Sequence, residues 1–239
     1  MDGIACARPL NLLSRMTAEE QSHLYAIARQ REFRKKELIV RAAAPSRHVY
    51  VLLKGRVRIY RLSPVGKKVI FWFCLPGEPF GLADQLNSGV HKVYAEACDS
   101  AEALAIERKQ FRQFLVEHPR LSIDVLDLMS YRLCALGDML INLSSDDVTT
   151  RVVKLLARLS SLYGRQAGNE SCLDIPLTHQ EIADMVGTAR QTVSTILGQL
   201  KCKGLVRTQG RSIYIQACDD FLVMSEAVFA SDQPGRASL

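Results

Sequence analysis

Residues 177–215, LTHQEIADMVGTARQTVSTILGQLKCKGLVRTQGRSIYI, decide how the C-terminal third of the chain is interpreted. Thr178, with Glu181 three positions later, is a capping box, which predicts a short helix that begins here and ends at Gly187. Thr188 with Gln191 repeats the box and predicts the start of a second helix. Two short helices joined by a turn at a glycine are typical of a helix-turn-helix.

The second helix has one apolar face and one polar face. Its apolar residues have the helical spacing i, i+3, i+4 and i+7; they are Val193, Ile196, Leu197 and Leu200. Short hydrogen-bonding side chains must then face outward, together with one guanidinium. These outward residues are Thr188, Arg190, Gln191, Ser194, Thr195 and Gly198. Such a face suits a helix that enters the major groove of DNA and contacts base edges from its first turns.

The charge of this region supports a polyanionic partner. The 239 residues carry a formal net charge of +6, which by itself permits many anionic partners. Between Arg190 and Arg211, however, the sequence has five basic residues and no acidic one. Residues 204–215 predict two strands with a tight turn at Gln209 and Gly210, which would form a wing beside the second helix. Capped helix pairs also occur in all-α proteins, but the wing and the basic stretch favour DNA binding.

The rest of the chain predicts a β-rich unit followed by helices. Residues 33–106 form short β-type runs between turn residues, as in a compact sandwich or barrel, and 69–75 reads as a strand buried on both faces. After a short helix around Phe111, residues 121–143 predict one long helix. Residues at a 3.5-type spacing along it are Leu121, Val125, Leu128, Arg132, Ala135 and Met139, flanked by Met129, Leu133, Leu136, Leu140 and Leu143. This stripe predicts pairing with another helix; a buried helix within one domain is the alternative. Residues 148–162 predict a further amphipathic helix, and 163–171 a loop.

Composition limits the class of protein. A hydrophobic content of 48% excludes disorder, and no apolar run is long enough to span a bilayer. Residues 1–16 lack the pattern of a secretory signal, so we expect a cytoplasmic protein without membrane contact. The seven cysteines are scattered and odd in number, which predicts mostly reduced thiols.

The chain resembles the CRP/FNR (cyclic-AMP receptor protein / fumarate-nitrate reductase regulator) family of bacterial transcription factors over residues 10–218. The motifs that carry the resemblance are LKG at 53–55, PGEPFG at 76–81, HP at 118–119, DVTTRV at 147–152, LTHQEI at 177–182 and TVS at 192–194. The resemblance implies an α+β protein that is not an enzyme. Its parts would be a cyclic-nucleotide-binding-like β-roll sensor (1–117), a dimerisation helix and hinge (118–145), a winged helix-turn-helix (146–218), and a C-terminal helix and tail (219–239).

The resemblance also implies partners and contacts. A homodimer through residues 121–143 would bind a two-fold symmetric operator of double-stranded DNA, with RNA polymerase as a further partner. Base-reading positions fall on Arg190, Gln191, Ser194 and Thr195. Relatives carry an acidic residue in place of Gln191 and usually arginine in place of Thr195, so we expect a different half-site. Phosphate contacts are expected from Thr178, His179, Gln180, Lys201, Arg207 and Arg211.

The effector pocket departs from the best-known members. The resemblance places the pocket at Gly77, Glu78, Phe80, Gly81, Leu82, His91, Lys92 and Leu136. Residues 87–92 lack the Arg-Ser pair that binds a cyclic phosphate, and Leu136 with Gly137 replaces the Thr-Ser pair that contacts adenine, so both changes argue against cyclic AMP. Cys6 is the only cysteine before residue 70, which argues against a four-cysteine iron-sulfur cluster.

Several alternatives stay open at this point. Haem could be held through His91, His48, Cys74 or Cys98, and no metal site is predicted. Cys134 could join two protomers under oxidation, so a redox-sensing regulator of the same fold is an alternative. Residues 80–82 resemble members that bind a small carboxylate, although packing of Phe80 explains them equally well, and activity without any ligand is also open. An enzyme with Cys74 or Cys98 as nucleophile, and a scaffold without DNA binding, are the other classes.

Overall fold

The computed structural model describes residues 11–82, 89–173, 175–210, 212–216 and 221. Several predictions fall outside the described residues: Cys6, positions 87 and 88 of the pocket loop, Arg211, Cys218, and the tail apart from Phe221. The chain forms two compact units, one ending at Cys134 and the other beginning at Ala135. The division into four parts made from the sequence stays a prediction.

The N-terminal unit combines eight described strands with short flanking helices. In chain order its elements are α1 (Leu12–Arg15), α2 (Ala18–Ile27), β1 (Ala28–Phe33), β2 (Leu38–Val40), β3 (His48–Lys54), β4 (Val57–Leu62), β5 (Lys68–Cys74), β6 (Pro79–Phe80), β7 (Tyr94–Ala97), β8 (Ala101–Glu107) and α3 (Arg108–Glu117). Helix α4 (Pro119–Ser145) follows and continues into the second unit.

The strands form two four-stranded antiparallel sheets with the orders β1-β8-β3-β6 and β2-β7-β4-β5. Side chains alternate across β3, as the pleat of a strand requires. Tyr50 and Leu52 join an apolar core shared by both sheets, whereas Val49 and Val51 pack on the opposite side against the helices. This arrangement confirms the β-roll that the sequence predicts.

Strand β5 differs from its prediction as a strand buried on both faces. Ile70, Phe73 and Cys74 are buried, but Phe71 and Trp72 remain half-exposed. The reason is that β5 lies at the end of its sheet, where β4 is its neighbour among the described strands. A continuous apolar run therefore marks an edge strand here rather than a central one.

Helix α4 has two apolar stripes, and the predicted 3.5-type spacing follows the one that contains its buried residues. Its N-terminus is Pro119, which suits the first turn of a helix, and its 27 residues span about 40 Å. Leu121, Leu128 and Arg132 are buried in a single chain, so the predicted spacing serves packing within the protomer. The exposed stripe repeats every seven residues, with Leu126, Leu133 and Leu140 exposed by 64%, 71% and 70%.

The C-terminal unit holds the helix-turn-helix and a four-stranded sheet of the order β11-β12-β10-β9. Its elements are α5 (Val148–Tyr163), β9 (Gly164–Ala167), β10 (Glu170–Leu173), α6 (His179–Val186), α7 (Arg190–Cys202), β11 (Val206–Gln209) and β12 (Ser212–Gln216). Strands β11 and β12 form the predicted wing, with Gly210 at a φ of 61° in its turn. The predicted loop at 163–171 is wrong, because β9 and β10 pair there as a second hairpin.

Among the residues that the structure describes, no helix is both long and apolar enough to cross a bilayer.

Candidate functional site

The first helix of the motif, α6, begins with the predicted capping box. The hydroxyl of Thr178 accepts a hydrogen bond from the Glu181 amide at 3.2 Å, and the Glu181 carboxylate accepts one from the Thr178 amide at 2.9 Å. The helix ends at Gly187, whose φ of 76° lies in the left-handed region that favours glycine. The sequence signal at this helix is therefore confirmed at both ends.

The second capping box is wrong. Helix α7 begins at Arg190, its N-cap is Ala189, and no side chain caps it. Thr188 instead donates its amide to the carbonyl of Ala183 at 3.0 Å and so closes the turn that follows α6. Thr188, which the sequence pattern assigned to the cap of α7, therefore belongs to the turn that follows the left-handed Gly187.

Helix α7 presents the expected polar face. Its inner residues Val193, Ile196, Leu197 and Leu200 are buried. The four proposed base-contacting residues, Arg190, Gln191, Ser194 and Thr195, are all exposed, and Thr188 at the turn is half-buried. The four lie within the first two turns of α7 and Thr188 lies in the turn just before it, so the structure brings these five residues together at the start of α7.

A hydrogen-bond chain ties α6 to this face. His179 Nδ1 lies 2.7 Å from the Ser194 hydroxyl, which lies 3.1 Å from the carbonyl of Arg190. Both contacts are satisfied when Nδ1 donates to the hydroxyl and the hydroxyl donates to the carbonyl. Burial, followed by the charges of Lys201 and Arg190, lowers the pKa of His179 and favours the neutral ring. His179 is thus placed to orient Ser194.

The residues proposed to contact phosphates lie on different elements and differ in their partners. Thr178 and His179 lie at the N-terminus of α6, where backbone amides suit an anion, while Gln180 donates to Asp184 at 2.8 Å. Lys201 is exposed in the last turn of α7. Arg211 lies outside the described residues.

Arg207 on the wing has an acidic partner that sequence reasoning missed. Its Nη2 lies 2.7 Å from an oxygen of Glu170 on the neighbouring strand β10, and its guanidinium lies 3.8 Å from the centre of the Tyr214 ring. The hydrogen bond from Arg207 lowers the pKa of Glu170. The stretch between Arg190 and Arg211 contains no acidic residue in sequence. In the folded chain, however, the sheet places Glu170 beside Arg207, which lies 37 residues further along the chain.

The roll contains a buried polar cluster at the proposed effector pocket. Glu78, which is 4% exposed, lies 3.3 Å from Nη2 of Arg132 on α4. The same nitrogen donates to the carbonyl of Pro79 at 3.2 Å, and the guanidinium lies 4.9 Å from the centre of the Trp72 ring. Burial outweighs the attraction of Arg132 and raises the pKa of Glu78 to about 7. Sequence reasoning placed Arg132 on the helix seam; a lone arginine on an apolar stripe was the signal for this buried pair.

The other proposed pocket residues lie in different surroundings. Phe80 lies in the core between the sheets and stacks on Tyr50 with ring centres 5.1 Å apart, whereas Leu82 packs with the outer helices. The left-handed Gly77 and Gly81 flank the Glu78 turn. His91 is buried and Lys92 is exposed, next to a short bridge between Pro45 and Val90. Leu136 belongs to the C-terminal unit.

Cys74 is a poor candidate for chemistry. It is completely buried, and that burial raises the pKa of its thiol to about 12. A thiol that stays protonated is neither a good nucleophile nor a good haem ligand. This geometry weighs against a Cys74 enzyme and against thiolate ligation at this position.

Comparisons with known proteins agree with the two units. Residues 30–118 match the cyclic nucleotide-binding domain and residues 150–220 match the Crp-like helix-turn-helix domain. The chain is 27% identical to a CRP-like cAMP-activated global transcriptional regulator of Mycobacterium tuberculosis, over 82% of this chain and 89% of the relative. It is 30% identical to the global nitrogen regulator of Synechocystis, over 72% and 77% of the two chains.

Solved structures share the fold. CooA from Carboxydothermus hydrogenoformans, in a mutant form, aligns with a TM-score of 0.76 at 21% identity, covering 92% of this chain and 96% of the other. FixK2 from Bradyrhizobium japonicum aligns with a TM-score of 0.71 at 24% identity, covering 87% and 99%. The chain therefore belongs to the CRP/FNR family of transcriptional regulators, which join an effector-binding β-roll to a DNA-binding helix-turn-helix.

Proposed function

We propose that the protein is a cytoplasmic homodimer that binds a two-fold symmetric DNA operator with α7 in the major groove and regulates transcription together with RNA polymerase. The observation that carries this proposal is the division of α7 into a buried apolar face and an exposed face of hydrogen-bonding side chains. Arg190, Gln191, Ser194 and Thr195 would contact bases. Gln191 suits the N6 and N7 edge of adenine, and Arg190 suits guanine or a phosphate.

Phosphate contacts would surround this face. Thr178 and His179 would meet the backbone with the first amides of α6, and Lys201 would meet it from the end of α7. Arg207 would release Glu170 and bind a phosphate in its place. In a symmetric dimer, the two recognition helices would read half-sites about 34 Å apart along one face of the duplex.

The dimer would form through the exposed stripe of α4. Leu126, Leu133 and Leu140 alternate with Met129, Leu136 and Leu143 at heptad spacing, so that six apolar residues would meet their copies. Ser130 and Gly137 lie beside this seam and would let the two helices approach closely. Large leucines exposed by about two thirds need such a partner because water otherwise surrounds them.

A small molecule that brings a hydrogen-bond donor to Glu78 would control the dimer. Glu78 Oε1 is buried and has no hydrogen-bond partner among the described residues, and an unpaired buried oxygen favours a ligand that supplies a donor. A relative named as cAMP-activated is 27% identical, yet residues 87–92 lack the Arg-Ser pair that cyclic-AMP-binding members carry. We therefore propose an effector other than cyclic AMP.

A matched pair of double variants tests the DNA-binding proposal. An operator selected from random DNA by the purified protein would be used in an anisotropy titration, with sedimentation to report the dimer. Arg190→Ala with Gln191→Ala should abolish specific binding and leave the dimer intact. Arg165→Ala with Gln166→Ala removes the same residue pair from the exposed strand β9 and should bind as wild type does. Equal operator affinity in both double variants would refute the proposed recognition face.

A further inference from the structure

Three potential metal ligands meet at the corner between α2, α3 and α4, outside the pocket and the DNA-binding face. His23 belongs to α2, Glu117 is the last residue of α3, and His118 follows it. His23 Nδ1 lies 3.2 Å from His118 Nε2 and 3.8 Å from a carboxylate oxygen of Glu117. All three ligand atoms lie within 4.8 Å of one another. We propose that His23, Glu117 and His118 bind one zinc ion.

The spacing of the ligand atoms suits a tetrahedral centre. Zinc holds imidazole nitrogens and carboxylate oxygens at about 2.0–2.2 Å, so neighbouring ligands of a tetrahedral ion lie roughly 3.3–3.5 Å apart. The two imidazole nitrogens already have nearly this separation, and the carboxylate oxygen lies 3.8 Å from His23 Nδ1, so a change of side-chain torsion can bring it to the ion. An ion can therefore enter between them without rearrangement of the backbone.

Phe114 holds the two rings in place. It is almost completely buried, and its ring centre lies 4.5 Å from that of His118 and 5.3 Å from that of His23. The amide of His118 also donates to the carbonyl of Phe114 at 3.0 Å, which closes the end of α3. Packing against a fixed aromatic side chain restricts both imidazoles and lowers the entropic cost of binding an ion.

An outer carboxylate lies on the side of His118 that faces away from the proposed ion. Glu20 Oε1 lies 3.7 Å from Nδ1 of His118, the ring nitrogen that the zinc would not use. The Thr17 amide and Arg120 Nη2 each lie 2.7 Å from Oε2 of Glu20 and fix its position. A carboxylate on this side favours the tautomer that has its proton on Nδ1 and its lone pair on Nε2.

The local charges favour a cation. The corner lies at the C-terminal end of α3, where the partial negative charge of a helix end attracts positive ions. Glu117 and Glu20 supply two carboxylates. The nearby cation Arg120 is paired with Glu20 and lies 4.0 Å from Asp124. Two nitrogens with one oxygen suit zinc, whereas magnesium and calcium prefer oxygen ligands alone.

The corner is open to solvent on one side. The side chains of His23 and Glu117 are exposed by 39% and 44%, so an ion can reach the site and a water molecule can occupy its fourth position. Bound zinc would join α2 to the corner at which α3 ends and α4 begins. It would therefore stabilise the outer helical layer of the N-terminal unit.

Zinc binding by the reduced, full-length protein tests this site. Titration with zinc in competition with a chromophoric chelator should give one ion per chain, and excess zinc should raise the melting temperature. His23→Gln and Glu117→Gln should each weaken zinc binding at least tenfold. Because Glu117→Gln keeps the shape of a half-exposed side chain, this variant should fold, and a loss of zinc binding can be assigned to the lost ligand. His48→Gln, the matched control on β3, should bind zinc as wild type does.

Cobalt replaces zinc as a spectroscopic probe of the ligand set. The cobalt protein should show the visible bands of a tetrahedral nitrogen and oxygen site without thiolate charge-transfer absorption. The proposal is overturned if wild type binds no zinc, or if either variant binds it with unchanged affinity. A thiolate band in the cobalt protein would equally overturn it, because the metal would then lie on cysteines such as the exposed Cys134 and Cys202.

Discussion

Replacing Glu78 by glutamine should change how the stability of the protein depends on pH. In the folded chain, burial raises the pKa of Glu78 from an ordinary value of 4.5 to about 7. Each whole step in pKa corresponds to about 1.4 kcal/mol, so ionised Glu78 destabilises the fold by about 3 kcal/mol relative to its protonated form. The unfolded chain loses this proton near pH 4.5 and the folded chain near pH 7. The stability that protonated Glu78 contributes is therefore fully present below about pH 4.5 and is lost as the pH rises to about 7.

The glutamine variant keeps the shape of protonated Glu78 but cannot ionise. Compared with wild type, Glu78→Gln should have a similar free energy of unfolding near pH 4 and a gain of about 3 kcal/mol by pH 8. Trp72 is the only tryptophan of the chain and lies beside Arg132, so its fluorescence reports unfolding close to the substituted site.

Urea titrations at half-unit pH intervals and constant protein concentration would measure this difference. Glu32→Gln, at an exposed carboxylate on β1, is the matched control and should follow wild type at every pH. Parallel pH profiles for Glu78→Gln and wild type would refute the reasoning. They would mean that the pairing with Arg132 keeps Glu78 ionised throughout the range.

Three further changes should have measurable effects. Thr178→Ala removes the side-chain cap of α6 and should lower the free energy of unfolding by about 1 kcal/mol in denaturant titrations; an unchanged midpoint would contradict the role of the cap. Leu133→Glu should convert the proposed dimer to a monomer in sedimentation experiments, whereas Val116→Glu, at an equally exposed residue of α3, should not. Cys74 should resist a thiol reagent at pH 8 while the exposed Cys134 reacts, because the Cys74 pKa is about 12; rapid modification of Cys74 in the native protein would contradict its burial.

Local patterns predicted the elements of this protein better than its contacts. The capping box at Thr178 depends on residues three positions apart, and the structure has both of its hydrogen bonds. The box at Thr188 has the same pattern and fails, because the left-handed Gly187 draws the Thr188 amide into the preceding turn. The sequence pattern alone does not show that Thr188 will join the turn after α6 rather than cap α7.

Contacts between distant segments could not be read from the chain. Glu170 lies 37 residues from Arg207, and His23 lies 95 residues from His118. Helix α4 posed a related problem, because it has two apolar stripes and periodicity alone does not say which one packs within the protomer. The buried Arg132 marks the inner stripe, since its pairing with Glu78 requires the roll to lie against that side.

The residues that stabilise the domain and the residues proposed to read DNA lie on opposite faces of α7. Val193, Ile196 and Leu197 hold the helix in place, whereas the Thr195 hydroxyl donates within its own helix, to the carbonyl of Gln191. Substitutions at Gln191 and Thr195 should therefore change operator preference at little cost to folding. Regulators with new target genes can arise from this scaffold through a few surface replacements, and the same two positions are where an engineer would begin.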